Sequence, residues 1–360
     1  MSSKKINRKV FKNTESPPLD CISDEYNNIL TSSKDIANEI FNEQTKNNRP
    51  TILTCNYQPQ HPANCICAVR QYPWHDLDGF TLDKRGNPET PLHSYFNQAT
   101  YDTCLRNLGN NKTPGPDRIP NSILKHMPPR FHKLLFLFFI HCYKQKQIPS
   151  SWKTSATILL YKKGDPSILP NHRPIALANT IYKLYTSTLT SILSSYREKY
   201  KILHDSQEGF RAERSTSRQI QTIIAALEDA KFTNQDIYIL YVDFKNAFGS
   251  IDHARLLAIM TDLGYPTDAT TLVGNIYSQS STTYIGEHFG KTKPIPIQRG
   301  TIQGDTLSPY LFIIFLEPLL RWLERGNNGY TFGTSQTIIN SAAYADDLAT
   351  ITNKLKSIQI

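Results

Sequence analysis

Apolar and polar residues follow two different spacings along the chain, and together these spacings predict an α/β fold of the α+β kind. Apolar positions three and four residues apart predict helices, and they recur in residues 121–126, 131–143, 179–193, 214–230, 253–263 and 308–323. Short apolar or alternating runs predict strands, and they occupy residues 157–161, 238–244, 341–345 and 348–352. Residues 282–284 and 293–298 resemble the two arms of a hairpin. From residue 238 onward the order is strand, helix, hairpin, helix, hairpin, which is a βαββ-type arrangement.

Residues 1–98 are polar, rich in Asn, Pro and Ser, and only weakly periodic. Repeated prolines interrupt any long element, so this segment is predicted to be loose and partly disordered. Its early basic residues fit a solvated tail better than a targeting or nucleic-acid-binding arm. Cysteines 55, 65 and 67, with nearby histidines, follow no common zinc spacing.

Cysteine usage and hydropathy bear on the compartment. Six cysteines in 360 residues form no disulfide pattern, which favours a reducing, intracellular location. The longest apolar run, residues 134–140, is far shorter than the roughly 20 residues of a membrane helix. The start of the chain lacks the apolar core of a signal peptide. The protein is therefore expected to be neither secreted nor membrane-bound.

The net charge of +9 is concentrated in the middle of the chain. Residues 99–230 contain 19 basic and 9 acidic side chains, whereas the segments on either side are balanced. A basic surface of this kind suits a polyanion such as nucleic acid. Charge alone favours nucleic-acid binding no more than it favours an ordinary solvated surface, so the motifs must decide.

Three carboxylates fall where strands end or turn. Asp243 follows an apolar strand, and Asp346 and Asp347 form a turn with apolar residues on both sides. Neighbouring carboxylates in apolar surroundings repel each other and are costly to ionise, and divalent cations would relieve both effects. Clustered carboxylates that bridge two Mg²⁺ ions about 3.5–4 Å apart are the device of phosphoryl transfer in polymerases. The alternative is an ordinary hairpin turn, because Asp favours turns, and the sequence leaves the two interpretations nearly even.

Longer blocks around these acids carry a resemblance to a known family. They read GPD at 115–117, KKGDP at 162–166, RPIAL at 173–177, QEGFR at 207–211, DFKNAF at 243–248, QGD at 303–305 and YADD at 344–347. With these blocks in this order, the chain resembles the reverse transcriptases of LINE-type (non-LTR) retrotransposons, to which group II intron reverse transcriptases are related. The resemblance runs from about residue 105 to about residue 352.

The resemblance implies a fold and a division of the chain. It implies the fingers and palm of a right-hand polymerase, with an antiparallel palm sheet packed on helices. Residues 99–230 would form the basic fingers and residues 231–360 an incomplete palm, so that the reverse transcriptase domain occupies about 99–360. The thumb is expected to be missing, because the chain ends at Ile360, and this suggests a truncated element copy or a partial gene model.

The resemblance also implies roles for individual residues. Metal ligands would be Asp243, Asp346, Asp347 and the carbonyl oxygen of Phe244. Contacts to the incoming deoxynucleoside triphosphate would come from Lys162, Arg173, Phe248, Gln303 and Gly304. Phe248 would exclude a 2′-hydroxyl, and Lys162 and Arg173 would hold the phosphates. Arg211 and Arg214 would touch the template backbone. The cofactor would be Mg²⁺ as two ions, with Mn²⁺ as a substitute.

The chain departs from the family at a few positions. Gly249 stands where the family usually has Asp, Arg118 where Gly is common, and Tyr161 where Pro is usual. None of these is an implied metal ligand, so the chemistry could survive the changes.

The first hypothesis is an RNA-directed DNA polymerase of a non-LTR retrotransposon, which takes an RNA template with a DNA primer and deoxynucleoside triphosphates. The second is a catalytically dead remnant that only binds nucleic acid. An RNA-dependent RNA polymerase fits less well, because Phe248 disfavours ribonucleotides and that class usually has Gly where this chain has Ala345. A nuclear protein with a cytoplasmic ribonucleoprotein stage is expected, while the oligomeric state is left open.

Overall fold

The computed structural model describes residues 19–49, 81–110, 112–325 and 328–355. Its α-helices are α1 (Ser33–Asn47), α2 (Gln98–Asn107), α3 (Asn121–Lys125), α4 (Pro129–Gln145), α5 (Thr180–Lys199), α6 (Thr216–Thr233), α7 (His253–Asp262), α8 (Thr267–Tyr277) and α9 (Leu307–Glu324). Its strands are β1 (Ile22–Ser23), β2 (Ile29–Leu30), β3 (Thr154–Tyr161), β4 (His172–Ala178), β5 (Tyr238–Val242), β6 (Ser281–Gly286), β7 (Gly290–Lys291), β8 (Ile295–Pro296), β9 (Tyr330–Thr331), β10 (Ile338–Ile339), β11 (Ser341–Tyr344) and β12 (Asp347–Thr352).

The larger sheet is built on the β3–β4 hairpin and has the strand order β4-β3-β6-β7, with β8 also paired to β6. Strands β3 and β4 are antiparallel, whereas β3 and β6 are parallel. Strands β6 and β8 form the hairpin that the sequence predicted, with Thr282 opposite Ile295. This hairpin belongs to the predicted palm segment, yet it completes the sheet begun in the predicted fingers. The boundary drawn at residues 230 and 231 therefore does not separate two independent sheets.

The smaller sheet is antiparallel, with the order β11-β12-β5. Its central strand, β12, pairs with β11 in a tight hairpin and with β5 from a segment more than a hundred residues earlier. Helices α6 and α9 both contact β11, so helices cover one side of the sheet. This is the βαββ-type palm that the sequence predicted.

A helical core joins the two sheets. Helix α9 is apolar on nearly all its faces and is mostly buried, as expected for a helix at the centre of a domain. It packs on α5 and α7, and α7 packs in turn on α8. Helix α5 adds fully buried tyrosines, among them Tyr182, Tyr185 and Tyr196. One continuous cluster of buried residues therefore supports both halves of the chain.

The prediction of a loose segment over residues 1–98 is wrong for the part around α1. Helix α1 packs on β7 and β8, and its Ile36 and Ile40 are buried with Tyr284, Phe289 and other apolar side chains. The apolar positions of α1 are separated by many polar residues, which is why the sequence pattern hid the helix. The cysteines and histidines at 55, 61, 65, 67 and 75, whose spacing disfavours a zinc site, and the basic residues at the start of the chain lie outside the described residues.

Candidate active site

The three predicted catalytic acids meet at one end of the smaller sheet. Tyr344 pairs with Asp347 across a two-residue turn, so Asp346 lies at the tip of the hairpin. On the other side of β12, Leu348 pairs with Val242, and one further step in the same register brings Asp347 beside Asp243. Facing Cα atoms of antiparallel strands are about 5 Å apart, and consecutive Cα atoms 3.8 Å. Asp243 and Asp346 thus lie within about 10 Å of each other, although roughly a hundred residues separate them in sequence.

The acids face solvent rather than a dry interior. Asp243 and Asp347 are exposed and Asp346 is half-buried. The expectation that apolar neighbours surround these acids is therefore wrong. The apolar neighbours point into the core instead: Leu348 and Ala345 are both buried. Alternation along a strand explains the difference, because successive side chains point to opposite faces.

The acids at the end of the smaller sheet can be compared with the ligand sets that bind Mg²⁺. Within the described ranges, no three His, Cys, Asp or Glu side chains form a ready-made cage. Mg²⁺ does not need one, because proteins commonly hold it by one or two carboxylates together with substrate phosphates and water. Two exposed carboxylates side by side, with a third at the adjoining turn, are a donor set of that kind. The residues present therefore fit Mg²⁺.

Phe248 and its neighbours form an aromatic group beside the acids. The ring of Phe248 is half-buried and lies 4.9 Å from the ring of Phe312 and 6.5 Å from that of Phe210, between centroids. Phe244, which follows Asp243 directly, packs partly buried against the same core. Phe248 is thus fixed by packing against its neighbours, and it follows Asp243 by only five residues in sequence.

Lys162 and Arg173 lie together on the β3–β4 hairpin. Arg173 pairs with Leu160, and the amide of Lys162 donates to the carbonyl of Asn171 at 2.9 Å, which extends the same register. Both cations therefore project from one face as diagonal neighbours, a relation that sets side chains about 7–8 Å apart. Both side chains are exposed, as phosphate-binding residues must be.

Gln303 and Gly304 lie against β4. The amide of Ala176 donates to the carbonyl of Gln303 at 2.7 Å. Gly304 has a φ of 111°, and a Cβ there would lie 2.8 Å from the carbonyl oxygen of Ala176. Glycine is therefore required by contact within the chain itself, in addition to the implied contact with a base pair. Gln303 lines a cavity together with Asn246 and Arg299.

Arg211 has a different place from the one predicted. Its side chain is only 5% exposed; it binds Glu198 at 2.8 Å and donates to the carbonyls of His204 and Gln207. Arg214 binds the buried Glu208 at 2.7 Å. The contacts of Arg211 occupy its side chain within the protein, so it holds the QEGFR block in place. Arg214 is bound through one nitrogen and its side chain is 23% exposed, so its contact with the template backbone stays a prediction.

Sequence reasoning gave no role to two residues of that block. Gln207 is fully buried and reaches the acidic turn. Phe210, by contrast, is 47% exposed next to Phe248 and has a φ of 54°. An exposed aromatic ring held in a left-handed backbone conformation is the usual mark of a functional position, but the sequence contains no signal of backbone conformation for a non-glycine residue.

An antiparallel three-stranded sheet with acids at one end, helices behind it and a basic hairpin nearby has the architecture of the palm and fingers of a template-dependent polymerase. The chain matches the family described as reverse transcriptase (RNA-dependent DNA polymerase) over residues 161–360. Because this match covers more than half of the chain, the protein belongs to the reverse transcriptase family.

Its relatives come from transposable elements. The chain is 25% identical over 291 residues to the transposon TX1 uncharacterized 149 kDa protein of Xenopus laevis, which covers 79% of this chain and 21% of that protein. It is 26% identical over 251 residues to the probable RNA-directed DNA polymerase from transposon BS of Drosophila melanogaster, covering 68% and 26%. It is 30% identical over 205 residues to the Pol polyprotein from the type-1 retrotransposable element R2 of Popillia japonica, covering 56% and 28%. The resemblance to non-LTR retrotransposons is thereby confirmed, and the chain spans about a quarter of the length of these relatives.

No helix in the part of the chain that the structure describes is both long and apolar enough to cross a lipid bilayer.

Proposed function

We propose that this chain carries the catalytic centre of an RNA-directed DNA polymerase, which extends a DNA primer along an RNA template with deoxynucleoside triphosphates. One observation carries the proposal: the register of β5, β12 and β11 gathers Asp243, Asp346 and Asp347 at one end of the palm sheet. The chain's membership of the reverse transcriptase family supports the same reaction.

The residues divide the work between binding and orientation. Asp243, Asp346 and Asp347, with the carbonyl oxygen of Phe244, would hold two Mg²⁺ ions, and Mn²⁺ could replace them. When bound, such ions activate the primer 3′-hydroxyl and neutralise the charge that develops on the triphosphate. The protein's own contribution is to fix the acids on a rigid sheet edge, so that little reorganisation is needed when substrates arrive.

The nucleotide would lie between the acids and the β3–β4 hairpin. Lys162 and Arg173 bind the phosphates, and Arg173 can use its planar fork to engage two oxygens at once. The ring of Phe248, supported by Phe312 at 4.9 Å, stands where a 2′-hydroxyl would collide with it. Gln303 and Gly304 line the new base pair. Each of these positions is exposed or half-buried.

Primer extension with matched variants tests this proposal. The purified chain is given an oligo(dT) primer on poly(rA), dTTP and Mg²⁺, and is compared with Asp346→Asn and Asp236→Asn. Asp346→Asn keeps the size of the side chain and removes one ligand charge. It is expected to lower the extension rate about a thousandfold, the equivalent of about 4 kcal/mol of transition-state stabilisation.

Asp236→Asn is the control, because Asp236 is an exposed acid at the far end of β5 from the acid cluster, and it should extend like wild type. Wild-type protein that binds the primed template yet extends it no faster than Asp346→Asn would contradict the proposal and identify the chain as a binding remnant.

A further inference from the structure

The acidic turn is supported from behind by a short segment of the QEGFR block. The amide of Ala343 donates to the carbonyl of Ser206, and the amide of Glu208 donates to the carbonyl of Ala343, both at 2.9 Å. Gln207 thus forms a parallel bridge with Ala343 in β11. The segment lies beside the hairpin as a one-residue extension of the palm sheet.

The side chain of Gln207 binds the backbone of the turn itself. Its Oε1 accepts from the amide of Ala345 at 2.9 Å and from the amide of Gly209 at 2.8 Å. Its Nε2 donates to the carbonyl of Ala345 at 3.3 Å. One carboxamide therefore satisfies both backbone polar groups of the residue that immediately precedes Asp346. Because Gln207 is fully buried, water cannot take over these bonds.

Ala345 needs this support because its backbone is in an unfavourable conformation. Its φ is 57°, in the left-handed region that residues with a Cβ rarely adopt. Ala345 is also only 6% exposed, so unpaired polar groups there would be costly. Gly209 is in close contact with the same residue, since a Cβ at that position would overlap the backbone nitrogen of Ala345. The turn is held both by hydrogen bonds and by close contact.

The supporting segment is itself anchored to helices α5 and α9 and to the residues that lead into α6. Glu208, 1% exposed, binds Arg214 at 2.7 Å, just before α6. Arg211 binds Glu198 of α5 at 2.8 Å, and the amide of His204 donates to Glu317 of α9 at 3.0 Å. The position of Ala345 is thus tied to the helical core rather than to the hairpin alone.

We infer that Gln207 is a positioning residue for the metal-binding turn: it fixes the Ala345 peptide and thereby the direction in which Asp346 projects. This inference rests on the proposed polymerase function. A two-residue turn at a sheet edge has few other contacts to determine the orientation of its tip. Small displacements of a catalytic group are costly, because a misplacement of about 1 Å can reduce rate about a hundredfold.

A matched pair of glutamine variants tests the inference. Gln207→Met keeps the length of the side chain and removes the carboxamide. Gln219→Met is the control, because Gln219 donates to the carbonyl of Ser206 at 2.7 Å and so supports the same segment without binding the turn. For each variant, kcat and KM for dTTP, the Mg²⁺ concentration for half-maximal rate and the melting temperature are measured. Mn²⁺ affinity is measured separately by electron paramagnetic resonance, without substrate.

Gln207→Met is expected to lower kcat between about tenfold and a hundredfold and to weaken Mn²⁺ binding about threefold or more, whereas Gln219→Met stays within about twofold of wild type in both. A merely structural role would lower the melting temperature of both variants and leave the Mn²⁺ affinity of the folded protein unchanged. Unchanged kcat and Mn²⁺ affinity in Gln207→Met, with Asp346→Asn inactive, would overturn the inference and leave the polymerase proposal standing. If wild-type protein extended the primer no faster than Asp346→Asn, the polymerase proposal itself would fail.

Gly209→Ala provides a second variant, which decides the matter if Gln207→Met does not fold. Its added methyl group pushes on the Ala345 peptide while Gln207 stays intact. The same loss of kcat and of Mn²⁺ affinity is expected, and wild-type values of both in folded Gly209→Ala would then reject the inference.

Discussion

Asp305 is a buried acid that joins the segment of Gln303 and Gly304 to helix α5. It lies two residues after Gln303, is 3% exposed, and accepts hydrogen bonds from the hydroxyls of Tyr182 and Thr186 on α5. Burial raises the pKa of Asp305 to about 6, although these hydrogen bonds oppose the shift. The sequence shows this acid beside Gln303 and Gly304 but does not show that it is buried.

The shift predicts a pH dependence of stability. An unfolded Asp titrates near pH 4, so between about pH 4 and pH 6 the folded state retains a proton that the unfolded state has lost. Stability from this group is therefore greatest at low pH and falls as pH rises through that window. Asp305→Asn does not titrate, so its free energy of unfolding relative to wild type should rise by about 2 kcal/mol from pH 4 to pH 7.

Urea denaturation at several pH values measures this difference. Asp236→Asn, at an exposed acid, should leave the pH dependence as in wild type. If the free energies of unfolding of wild type and Asp305→Asn changed with pH in the same way, the pKa of Asp305 would not be raised in the folded protein, and the prediction would be wrong.

Another single residue explains a departure from the family. Arg118 occupies a position where Gly is common, and its φ is 56°. Only glycine adopts such a conformation without steric cost, which accounts for the family's preference. The chain accepts a residue with a Cβ there at a cost of about 1 kcal/mol.

At the scale of elements, sequence patterns located the centres of helices and strands but missed elements with unusual composition. Strand β4 was not predicted because Pro174 interrupts it. It forms all the same because it is at the edge of its sheet, where a missing N–H is tolerated. Helix α4 begins at Pro129, two residues before the apolar spacing that predicts it. Proline in fact suits the first turn of a helix.

The loop between α5 and α6 gives a prediction at this scale. Arg211→Ala removes contacts to Glu198 and to two backbone carbonyls, so it should destabilise the fold by about 2 kcal/mol. The dependence of RNA affinity on salt should not change, because the side chain is already occupied within the protein. A template contact would instead lower the slope of log affinity against log salt by about 1.

Thermal unfolding and RNA binding at several salt concentrations measure the two effects. Arg218→Ala is the matched variant. Arg218 also pairs with an acid near this loop, Glu208, but its side chain is 62% exposed. The melting temperature of Arg218→Ala should therefore stay close to that of wild type. A smaller salt slope in Arg211→Ala would return this residue to the template surface.

At the scale of the whole molecule, the larger sheet and the helix that covers it come from three distant parts of the chain. Helix α1 covers β7 and β8, these strands follow β6, and β6 pairs with β3 more than a hundred residues earlier. Tyr284 of β6 connects the layers, because its hydroxyl donates to Gln44 of α1 at 3.0 Å. The first described segment is therefore packed on the larger sheet.

Ile40→Ala tests this assembly. Ile40 is fully buried among the side chains beneath α1, and its truncation should cost about 2–4 kcal/mol of local stability. Hydrogen exchange should accelerate in α1 and β8 and remain slow in α7 and α8, which belong to the other core. Asn38→Ala, at an exposed position of α1, should change neither. Equal acceleration in α7 and α8 would mean that the two cores unfold as one unit.

The sequence by itself determined the elements and the chemistry. Alternating runs located β5, β11 and β12, and the blocks DFKNAF and YADD marked the acids at their ends, because periodicity and turn residues are local properties that a linear pattern contains. The resemblance to the reverse transcriptase family, the polymerase fold that it implies and the choice of Lys162 and Arg173 as phosphate-binding residues likewise came from the sequence, whereas the hairpin that carries these two residues did not.

Only the tertiary structure decided how distant segments meet. The parallel pairing of β3 with β6, the packing of α1, the burial of Asp305, the internal role of Arg211 and the hold of Gln207 on Ala345 all join residues far apart in sequence. Such contacts leave no periodic signal, because a buried polar side chain is specified by the partner that satisfies it and not by its neighbours along the chain.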